Sequence, residues 1–362
     1  MIGSKAYFSA VVAVVACGVS VASAQMSFNL TNGGGATPQM MAGFQEAGAM
    51  WGALFTDPIT INVRVNAASL AVGAVGHTET YYDPYTYTSV RAALVNGKQS
   101  ADDFSSSSKL QAGPAISMLI NRTANNPNGV VSATPYFDTG LGGPGQAGTE
   151  NNSTIRVTSA NAKALGLILG NTAGLDGIVT FSNLAIFDFD RSNGISATKV
   201  DFVGAAVHEL GHLMGFVSGV DVLVGNGAAP GLADNKLKFV TPLDLFRFSS
   251  RSIGTGGDVG VIDWADDSTK KYFSVDGGVT EVSEFSTGAT YEASHWKYNM
   301  GLGLMGPTAG AGNLLSLSSN DIRAFDVMGY DLAVPEPSTA ALLGAACVGG
   351  LVWGRRRRVR RG

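Results

Sequence analysis

Cysteine is absent between residues 25 and 333 of this chain of 362 residues, since Cys17 and Cys347 both lie in hydrophobic stretches near the two ends. This central part can therefore form no internal disulfide, although an exported protein would be allowed one. It also has no cysteine that could block a metal site. With 45% hydrophobic residues in the whole chain, the central part is long enough to bury a core as one large domain or as two lobes.

Basic residues are also few in the central part. Of the 24 lysines and arginines, Lys5 and six arginines between positions 355 and 361 lie outside it, which leaves 17. Of the 28 acidic residues only Glu336 lies outside it, which leaves 27 and a net charge of −10. The basic surface that nucleic-acid-binding proteins present is missing, so we expect no nucleic-acid partner.

Residues 1–24 have the features of a signal peptide. Lys5 supplies a positive charge, an apolar run follows from Ala6 to about Val21, and Ala22-Ser23-Ala24 is a small-residue cleavage site. We expect cleavage before Gln25. Cleavage before Cys17, as in a lipoprotein, is the alternative, and both interpretations predict export across the inner membrane.

Residues 334–362 form a second hydrophobic end. Pro335-Glu336-Pro337 precedes an apolar stretch from Thr339 to Trp353, and the arginine cluster follows. About 15 residues is short for a permanent span, which needs about 20, and the arginines should stay in the cytoplasm. An ordinary C-terminal anchor is one interpretation. The order of these features resembles the PEP-CTERM sorting signal of Gram-negative envelope and biofilm-matrix proteins. That resemblance implies transient inner-membrane association, an exosortase-type sorting partner, and delivery to the cell surface or matrix.

Histidine is scarce as well, yet two of the four histidines stand in the pattern His208-Glu209-x-x-His212. On a helix, which we predict over residues 199–214, positions i and i+4 share a face, so His208 and His212 can bind one zinc ion. Glu209 is then placed to act as a base on a water held by the metal. Histidines on a solvent-facing helix are the alternative, but a chance occurrence of this pattern is rare at this composition.

A catalytic zinc needs three protein ligands and an open position for water, so a third ligand must be found. In the extended pattern H-E-x-x-H-x-x-G-x-x-H the helix ends at the glycine, here Gly215, and the ligand follows three residues later. That position is Ser218, whose neutral hydroxyl is a poor zinc ligand. Asp221 is the local alternative. The more distant candidates are three carboxylates and the two remaining histidines, Glu281, Glu284, Glu292, His77 and His295. For His77, which matches no pattern, a surface position is the simpler interpretation.

The segment around His295 carries a resemblance. Ser294-His295-Trp296 is followed by Leu304-Met305, and this pairing resembles the leishmanolysin-like metzincins, where a long insertion separates the two halves of the zinc site. The resemblance implies that His295 is the third ligand and that Met305 is the Met-turn residue below the metal. A core methionine is the alternative for Met305. The central part is also similar to exported metalloproteases with PEP-CTERM signals, although Gly306 departs from the polar residue common after the Met-turn.

The fold we expect is α+β and metzincin-like: a twisted mixed sheet, the zinc-motif helix, and a loop-rich C-terminal subdomain. We place the signal peptide at 1–24, an N-terminal subdomain at 25–218, a C-terminal subdomain at 219–333 and the sorting signal at 334–362. Hydrophobic periodicity and capping residues predict the main elements. Helices are expected over about 38–55, 89–96 and 160–165 and after residue 318, strands over 59–65 and 178–189, and long loops over 121–152.

A second metal is conceivable where Asp188-x-Asp190-x-Ser192-Asn193-Gly194 resembles the start of a calcium loop. Such loops carry a bidentate glutamate at the twelfth position, which here is Lys199. A structural calcium ion therefore has weak support. A simple turn also accounts for the sequence.

These features together predict an exported zinc endopeptidase with a protein or peptide substrate. Zinc would polarise the scissile carbonyl and its water, while Glu209 takes the proton and returns it to the leaving amine. Two alternatives stay open. One is a catalytically inactive metzincin scaffold that acts in adhesion or binding in the envelope or biofilm matrix, and the other is a zinc hydrolase that cleaves a non-peptide bond.

Overall fold

The computed structural model describes residues 25–139, 150–253 and 260–333. The predicted signal peptide and the predicted sorting signal lie outside the described residues. Within the described ranges, no helix combines the length and the apolar character needed to cross a membrane.

The described chain is a mixed α+β structure with several small sheets. The strands are β1 (Ser27–Gly34), β2 (Thr60–Ala68), β3 (Gly76–Thr80), β4 (Tyr82–Thr86), β5 (Met118–Ile120), β6 (Tyr136–Asp138), β7 (Thr154–Thr158), β8 (Gly177–Ser182), β9 (Phe187–Asp188), β10 (Val200–Asp201), β11 (Arg247–Phe248), β12 (Ile262–Asp263), β13 (Lys271–Phe273) and β14 (Ser283–Phe285).

The α-helices are α1 (Pro38–Gly52), α2 (Tyr87–Asn96), α3 (Ala101–Lys109), α4 (Glu150–Ser153), α5 (Ser159–Ala164), α6 (Phe202–Leu213), α7 (Val220–Gly225), α8 (Ser250–Ile253) and α9 (Ser319–Val327). Two short 3-10 helices span Asp234–Lys236 and Leu243–Phe246. The predicted helices correspond to α1, α2, α5, α6 and α9, with ends that differ by a few residues. The stretch 121–152, expected to be loop, also contains β6 and the start of α4.

A four-stranded sheet in the order β1-β2-β8-β3 is the largest sheet in the described chain. Strands β1, β2 and β8 are parallel, and β3 runs antiparallel to β8 at one edge. Ile61, Val63 and Val65 on β2 are fully buried, while the residues between them are not. This alternation is the pattern that predicted the strand.

The prediction of one long strand over 178–189 is wrong. Strand β8 ends at Ser182, where the Ser182 hydroxyl accepts a hydrogen bond of 3.3 Å from the Leu184 backbone N–H. Side-chain bonds of this kind compete with continued strand pairing. The chain resumes only as the two-residue strand β9, which pairs in parallel with β10 just before α6.

Helices α1 and α6 pack against each other next to this sheet. Phe44 of α1 makes edge-to-face contacts with Phe181 of β8 and Phe202 of α6, at centroid distances of 5.4 and 5.8 Å. The indole N–H of Trp51, one of the largest buried side chains, donates to the carbonyl of Val207 at 3.0 Å. The helix with the zinc motif is therefore held by a rigid aromatic core.

The predicted subdomains 25–218 and 219–333 share a β-sheet and a hydrophobic cluster. Strand β12 from the second segment pairs in parallel with β5 from the first, in the sheet β12-β5-β6. A second small sheet, β11-β13-β14, belongs to the C-terminal segment. One hydrophobic cluster includes buried residues from both segments, so the C-terminal segment is packed onto the rest.

Helix α9 begins with a capping box, in which Ser318 and Asp321 each accept a bond from the other's backbone N–H. It ends before Gly329, which has a φ of 96°. Both ends agree with the prediction from Ser318, Asp321 and Gly329. Beyond α9, Leu332 forms a β-bridge with Phe55, so the last described residues lie against the end of α1.

Candidate metal centre

Three histidines converge at the centre of the molecule. His208 and His212 lie one turn apart on α6, and His295 comes from the segment after β14. The Nε2 atom of His212 lies 3.0 Å from that of His208 and 3.1 Å from that of His295. Among the described residues, these three side chains form the group whose ligand atoms lie close enough together to hold one metal ion.

Backbone carbonyls determine the orientation of these rings. Nδ1–H of His208 donates to the Leu304 carbonyl at 2.9 Å, and Nδ1–H of His212 donates to the Phe216 carbonyl at 2.7 Å. Because a carbonyl oxygen only accepts, both Nδ1 atoms must carry the proton. His295 directs Nδ1 to the Glu292 carbonyl at 3.4 Å. Each ring therefore presents the bare lone pair of Nε2 to the same point.

Burial of two of the rings also fits a cation at that point. It is the main cause that lowers the pKa of His212 well below its ordinary value and that of His295 to about 3. The Nε2 atom of His212 lies 3.0 and 3.1 Å from those of the other two rings, so one cation between them could be bound by all three. Three imidazole ligands and an open side suit zinc. The donor set thus fits the zinc ion predicted from the sequence.

Glu209 is buried beside the histidines, on the side of β3. Its Oε2 atom accepts a hydrogen bond of 2.5 Å from the Thr78 hydroxyl. A Cβ atom on Gly76 would lie 2.6 Å from its Oε1 atom, so glycine there leaves room for the carboxylate. Burial is the main cause that raises the pKa of Glu209. The sequence motif places Glu209 beside His208, but it gives no sign that β3 and Thr78 are neighbours of this carboxylate.

Met305 lies directly below the zinc-motif helix. It is fully buried, and a Cβ atom on Gly211 would lie 2.6 Å from its sulfur. The Met305 carbonyl accepts a bond of 2.9 Å from the backbone N–H of Trp296, the residue after His295. Met305 is therefore packed against α6, and its role as the Met-turn residue stays a prediction.

One buried carboxylate, that of Asp321, accepts hydrogen bonds from the segments that carry His295 and Met305. Asp321 Oδ1 accepts from the Trp296 indole N–H at 2.8 Å and from the Met305 backbone N–H at 3.1 Å. Its Oδ2 accepts from the Leu304 N–H at 2.8 Å. The capping pattern at Ser318 identified Asp321 as the start of α9, but nothing in the sequence indicated its second role.

Asp221 supports the third histidine from outside the cluster. Its carboxylate accepts bonds from the Ala293 N–H at 2.5 Å and from the Ser294 hydroxyl at 2.6 Å. The Ser294 hydroxyl in turn accepts from the Ser218 N–H at 2.8 Å. Burial raises the pKa of Asp221 to about 6. Asp221, the local alternative for the third ligand, thus orients the residues just before His295 and is not part of the histidine cluster.

Gly215 lies just after α6, which ends at Leu213. It has a φ of 118°, a conformation that favours glycine, and it turns the chain so that the Phe216 carbonyl reaches His212. A Cβ atom on Gly215 would come within 3.3 Å of Asn161. This is the glycine that the extended zinc motif predicts after the helix.

The remaining candidates for the third ligand lie apart from the histidine cluster. Glu281 and Glu284 form ion pairs with Lys270 and Lys297, at 2.6 and 2.5 Å. His77 is exposed on β3, and its imidazole lies outside the cluster. Glu292 comes nearest, with Oε2 4.0 Å from Nδ1 of His295, on the side of the ring away from the convergence point.

In the loop that resembles a calcium site, both carboxylates accept hydrogen bonds from other residues of the loop. Asp188 Oδ2 accepts from the hydroxyl and the N–H of Ser196, and Asp190 Oδ1 accepts from the hydroxyl and the N–H of Ser192. The two bonds from Ser196 are the main cause that lowers the pKa of Asp188 to about 2. The simple turn accounts for this segment, and the structure adds no support for calcium.

The histidines and Glu209 open onto a cleft of about 480 Å³. Strand β3 and the loop before it line the cleft, as do Leu304, residues 306–309 and Leu315. Tyr82, Val217, Glu292 and Ser294 are further lining residues. The site is therefore accessible to a ligand from the protein surface.

No family model matches this chain, and neither the curated proteins nor the solved structures include a match.

Proposed function

We propose that this chain is an exported zinc-dependent endopeptidase with a metzincin-like fold. His208, His212 and His295 would bind the metal, and Glu209 would transfer the proton. The observation that carries the proposal is the meeting of three Nε2 acceptor atoms at 3.0 and 3.1 Å, beside a buried glutamate, at the wall of an open cleft. A scaffold used only for binding has no need of this glutamate, which supports an enzyme over the inactive alternative.

Zinc, when bound to these histidines, supplies a Lewis acid that polarises a carbonyl group and makes water more acidic. Glu209 takes a proton from the attacking water and returns it to the leaving amine. The Thr78 hydroxyl holds Oε2 of Glu209, while Oε1 lies towards the cleft wall at Gly76. Burial raises the pKa of this carboxyl, which brings it closer to neutral pH, where it can both accept and donate a proton.

The strand edge in the wall of the cleft favours a peptide over a small molecule as the substrate. Strand β3 lines the cleft and forms the edge of its sheet, with β8 as its partner among the described strands. The free edge of a strand offers backbone donors and acceptors to which an extended peptide can pair. A protein segment is therefore the substrate that matches this wall.

The test is cleavage of casein or of a quenched fluorogenic peptide by the purified protein. We expect activity that a zinc chelator abolishes and that added zinc restores. Glu209→Gln should retain zinc and lose cleavage by at least about 100-fold, whereas Glu46→Gln, the same change on the exposed face of α1, should retain both. A Glu209→Gln protein that cleaves like the wild type would refute the proposal, as would a wild type that binds no zinc by elemental analysis.

We also propose that residues 1–24 direct export and that residues 334–362 direct sorting by an exosortase-type enzyme, which would release the protein to the cell surface or matrix. The features of the two ends support this, namely the small-residue cleavage site and the order Pro-Glu-Pro, apolar stretch and arginine cluster. Mass spectrometry of the protein recovered from the surface of its native host is the test. We expect an N-terminus at Gln25 and no arginine cluster, and a mature protein that retains residues 355–361 would contradict the sorting proposal.

A further inference from the structure

The lining of the cleft has an uneven distribution of charge. Besides the three histidines of the cluster, the ionisable side chains that line it are His77, Tyr82, Glu209 and Glu292. Lysine and arginine are missing from the lining among the described residues. Since Glu209 is buried and engaged by Thr78, Glu292 is the acidic side chain that a ligand in this cleft would meet first.

Glu292 lines the cleft beside His295. Its Oε2 atom lies 4.0 Å from Nδ1 of His295, and its neighbour in sequence Ser294 is also a lining residue. A peptide that binds in the cleft would therefore meet this negative charge next to His295.

The charge of Glu292 is not neutralised by the protein. Its side chain is 73% exposed, and its ion-pair contact within the described chain is with His295. Glu281 and Glu284 differ in this respect, because each is paired with a lysine. The Glu292 carboxylate is thus available to a cation.

We propose that Glu292 determines specificity in this cleft, favouring substrates with a lysine or arginine in the subsite beside His295 and disfavouring aspartate or glutamate there. The inference rests on the proposed endopeptidase function, since it names the substrate class of the same site. An exposed carboxylate forms ion pairs of modest strength, so we expect about a fivefold preference for lysine over alanine at that position.

The experiment uses quenched peptides that differ at one position at a time, with lysine, alanine or glutamate on either side of the scissile bond. In the wild type, kcat/KM should be highest for lysine and lowest for glutamate at one position. Glu292→Gln should abolish this order, and Glu292→Lys should reverse it. Glu46→Lys, which changes the net charge equally on the exposed face of α1, is the matched control and should keep the wild-type order.

A binding measurement separates this inference from the proposed function. The zinc-loaded Glu209→Gln protein, with and without Glu292→Lys, is titrated with the same peptides by fluorescence anisotropy. Tighter binding of the lysine peptide that Glu292→Lys reverses would support the inference independently of turnover. The specificity inference would be overturned if the wild type cleaved neutral peptides but showed no difference in kcat/KM among the lysine, alanine and glutamate peptides. Equal binding of the lysine and glutamate peptides would overturn it as well. Neither result would contradict the proposed endopeptidase function. Binding without cleavage by the wild type would refute the endopeptidase alone.

Discussion

At the scale of single residues, the candidate site depends on a few hydrogen bonds that hold groups which do not themselves bind the metal. Thr78 is the first of these. Its hydroxyl donates to the Glu209 carboxylate at 2.5 Å and lies 3.1 Å from the Glu209 carbonyl. The proposed base is therefore oriented from a neighbouring strand rather than from its own helix.

Replacing Thr78 tests this orientation. Thr78→Val keeps the shape but removes the donor, and a hydrogen bond to a charged group is worth about 1.5–3 kcal/mol. We expect kcat to fall by about 10-fold or more, with KM and zinc content nearly unchanged. Thr78→Ser restores the hydroxyl and should recover most of kcat. If the valine and serine variants have the same kcat, Thr78 does not position Glu209.

Asp321 provides a second test at this scale. Its two oxygens face only donors, among them the Trp296 indole, the Leu304 and Met305 N–H groups, and Ser318. Asp321→Asn would turn an amide NH₂ towards some of these donors. We expect zinc affinity to fall by about 10- to 100-fold, as for other outer-sphere partners of metal ligands. Competition with a chromogenic chelator measures this.

The surface substitution Asp83→Asn serves as the control for Asp321→Asn, since Asp83 is exposed on β4. It should leave zinc affinity unchanged. Equal zinc affinity of Asp321→Asn and the wild type would show that the Met305 and His295 segments do not need this carboxylate.

At the scale of elements, the close packing of α6 on Met305 makes one glycine critical. Glycine inside a helix normally costs about 0.5–1 kcal/mol relative to alanine, so Gly211→Ala would be stabilising in isolation. Here the new Cβ would lie 2.6 Å from the Met305 sulfur and 3.4 Å from the Trp51 ring. Overpacking of this kind costs about 1–3 kcal/mol. We expect a lower Tm and weaker zinc binding.

Gly225→Ala is the matched control for Gly211→Ala. Gly225 is the last residue of α7, and a Cβ atom there would meet no atom within 4 Å. Its Tm should stay the same or rise slightly. A Tm of Gly211→Ala equal to or above that of the wild type would mean that Met305 moves aside without cost.

Elements with a long amphipathic pattern and a capping residue could be predicted from the sequence, as α1 after Thr37 and α9 after Ser318 illustrate. Strand β3 could not, because its five residues Gly76–Thr80 are mostly polar and include no hydrophobic alternation. Its position depends on pairing with β8, a contact between distant parts of the chain. The sequence therefore did not predict β3, the strand that lines the cleft and contacts Glu209.

The same distinction applies to the site. His208, Glu209 and His212 form a local pattern whose geometry follows from the helix, so these residues could be predicted together. His295 is 83 residues beyond His212, and only a resemblance singled it out among the open candidates. The role of Asp221 depends on its contact with Ser294, which lies 73 residues further on. Such contacts arise from tertiary packing and leave no local pattern.

At the scale of the whole molecule, the metal site would join distant parts of the chain. His208 and His212 lie on α6, while His295 belongs to the C-terminal segment. The proposed zinc ion would bind this arrangement only when the protein is folded, so at a free concentration 100 times its Kd it should add about 2.7 kcal/mol to stability. We expect a chelator to lower the Tm by several degrees and His295→Ala to remove most of the zinc-dependent shift. A Tm insensitive to zinc would contradict the proposed site.

Asp57, a buried carboxyl in the loop after α1, contacts the last described residues, and this contact predicts a dependence of stability on pH. The Asp331 N–H donates to Asp57 Oδ2 at 3.0 Å, and the Thr56 N–H donates to the Asp331 carbonyl at 2.8 Å. Burial, with the Asp331 charge adding to it, raises the pKa of Asp57 from 3.8 to about 7. The folded protein therefore holds this proton up to about pH 7, while the unfolded chain releases it near pH 4.

Asp57 consequently stabilises the fold fully below about pH 4, and this contribution is lost as the pH rises to about 7. Asp57→Asn is neutral at every pH and keeps an acceptor for the Asp331 N–H, so it should not suffer this loss. We expect Asp57→Asn to be more stable than the wild type at pH 8, by on the order of 4 kcal/mol, and equal to it near pH 4. Urea unfolding of both proteins at the two pH values measures the difference, with the exposed Asp83→Asn as control. A stability difference that does not change between pH 4 and pH 8 would mean that Asp57 titrates alike in the folded and unfolded chains, and that its contact with Asp331 does not retain a proton.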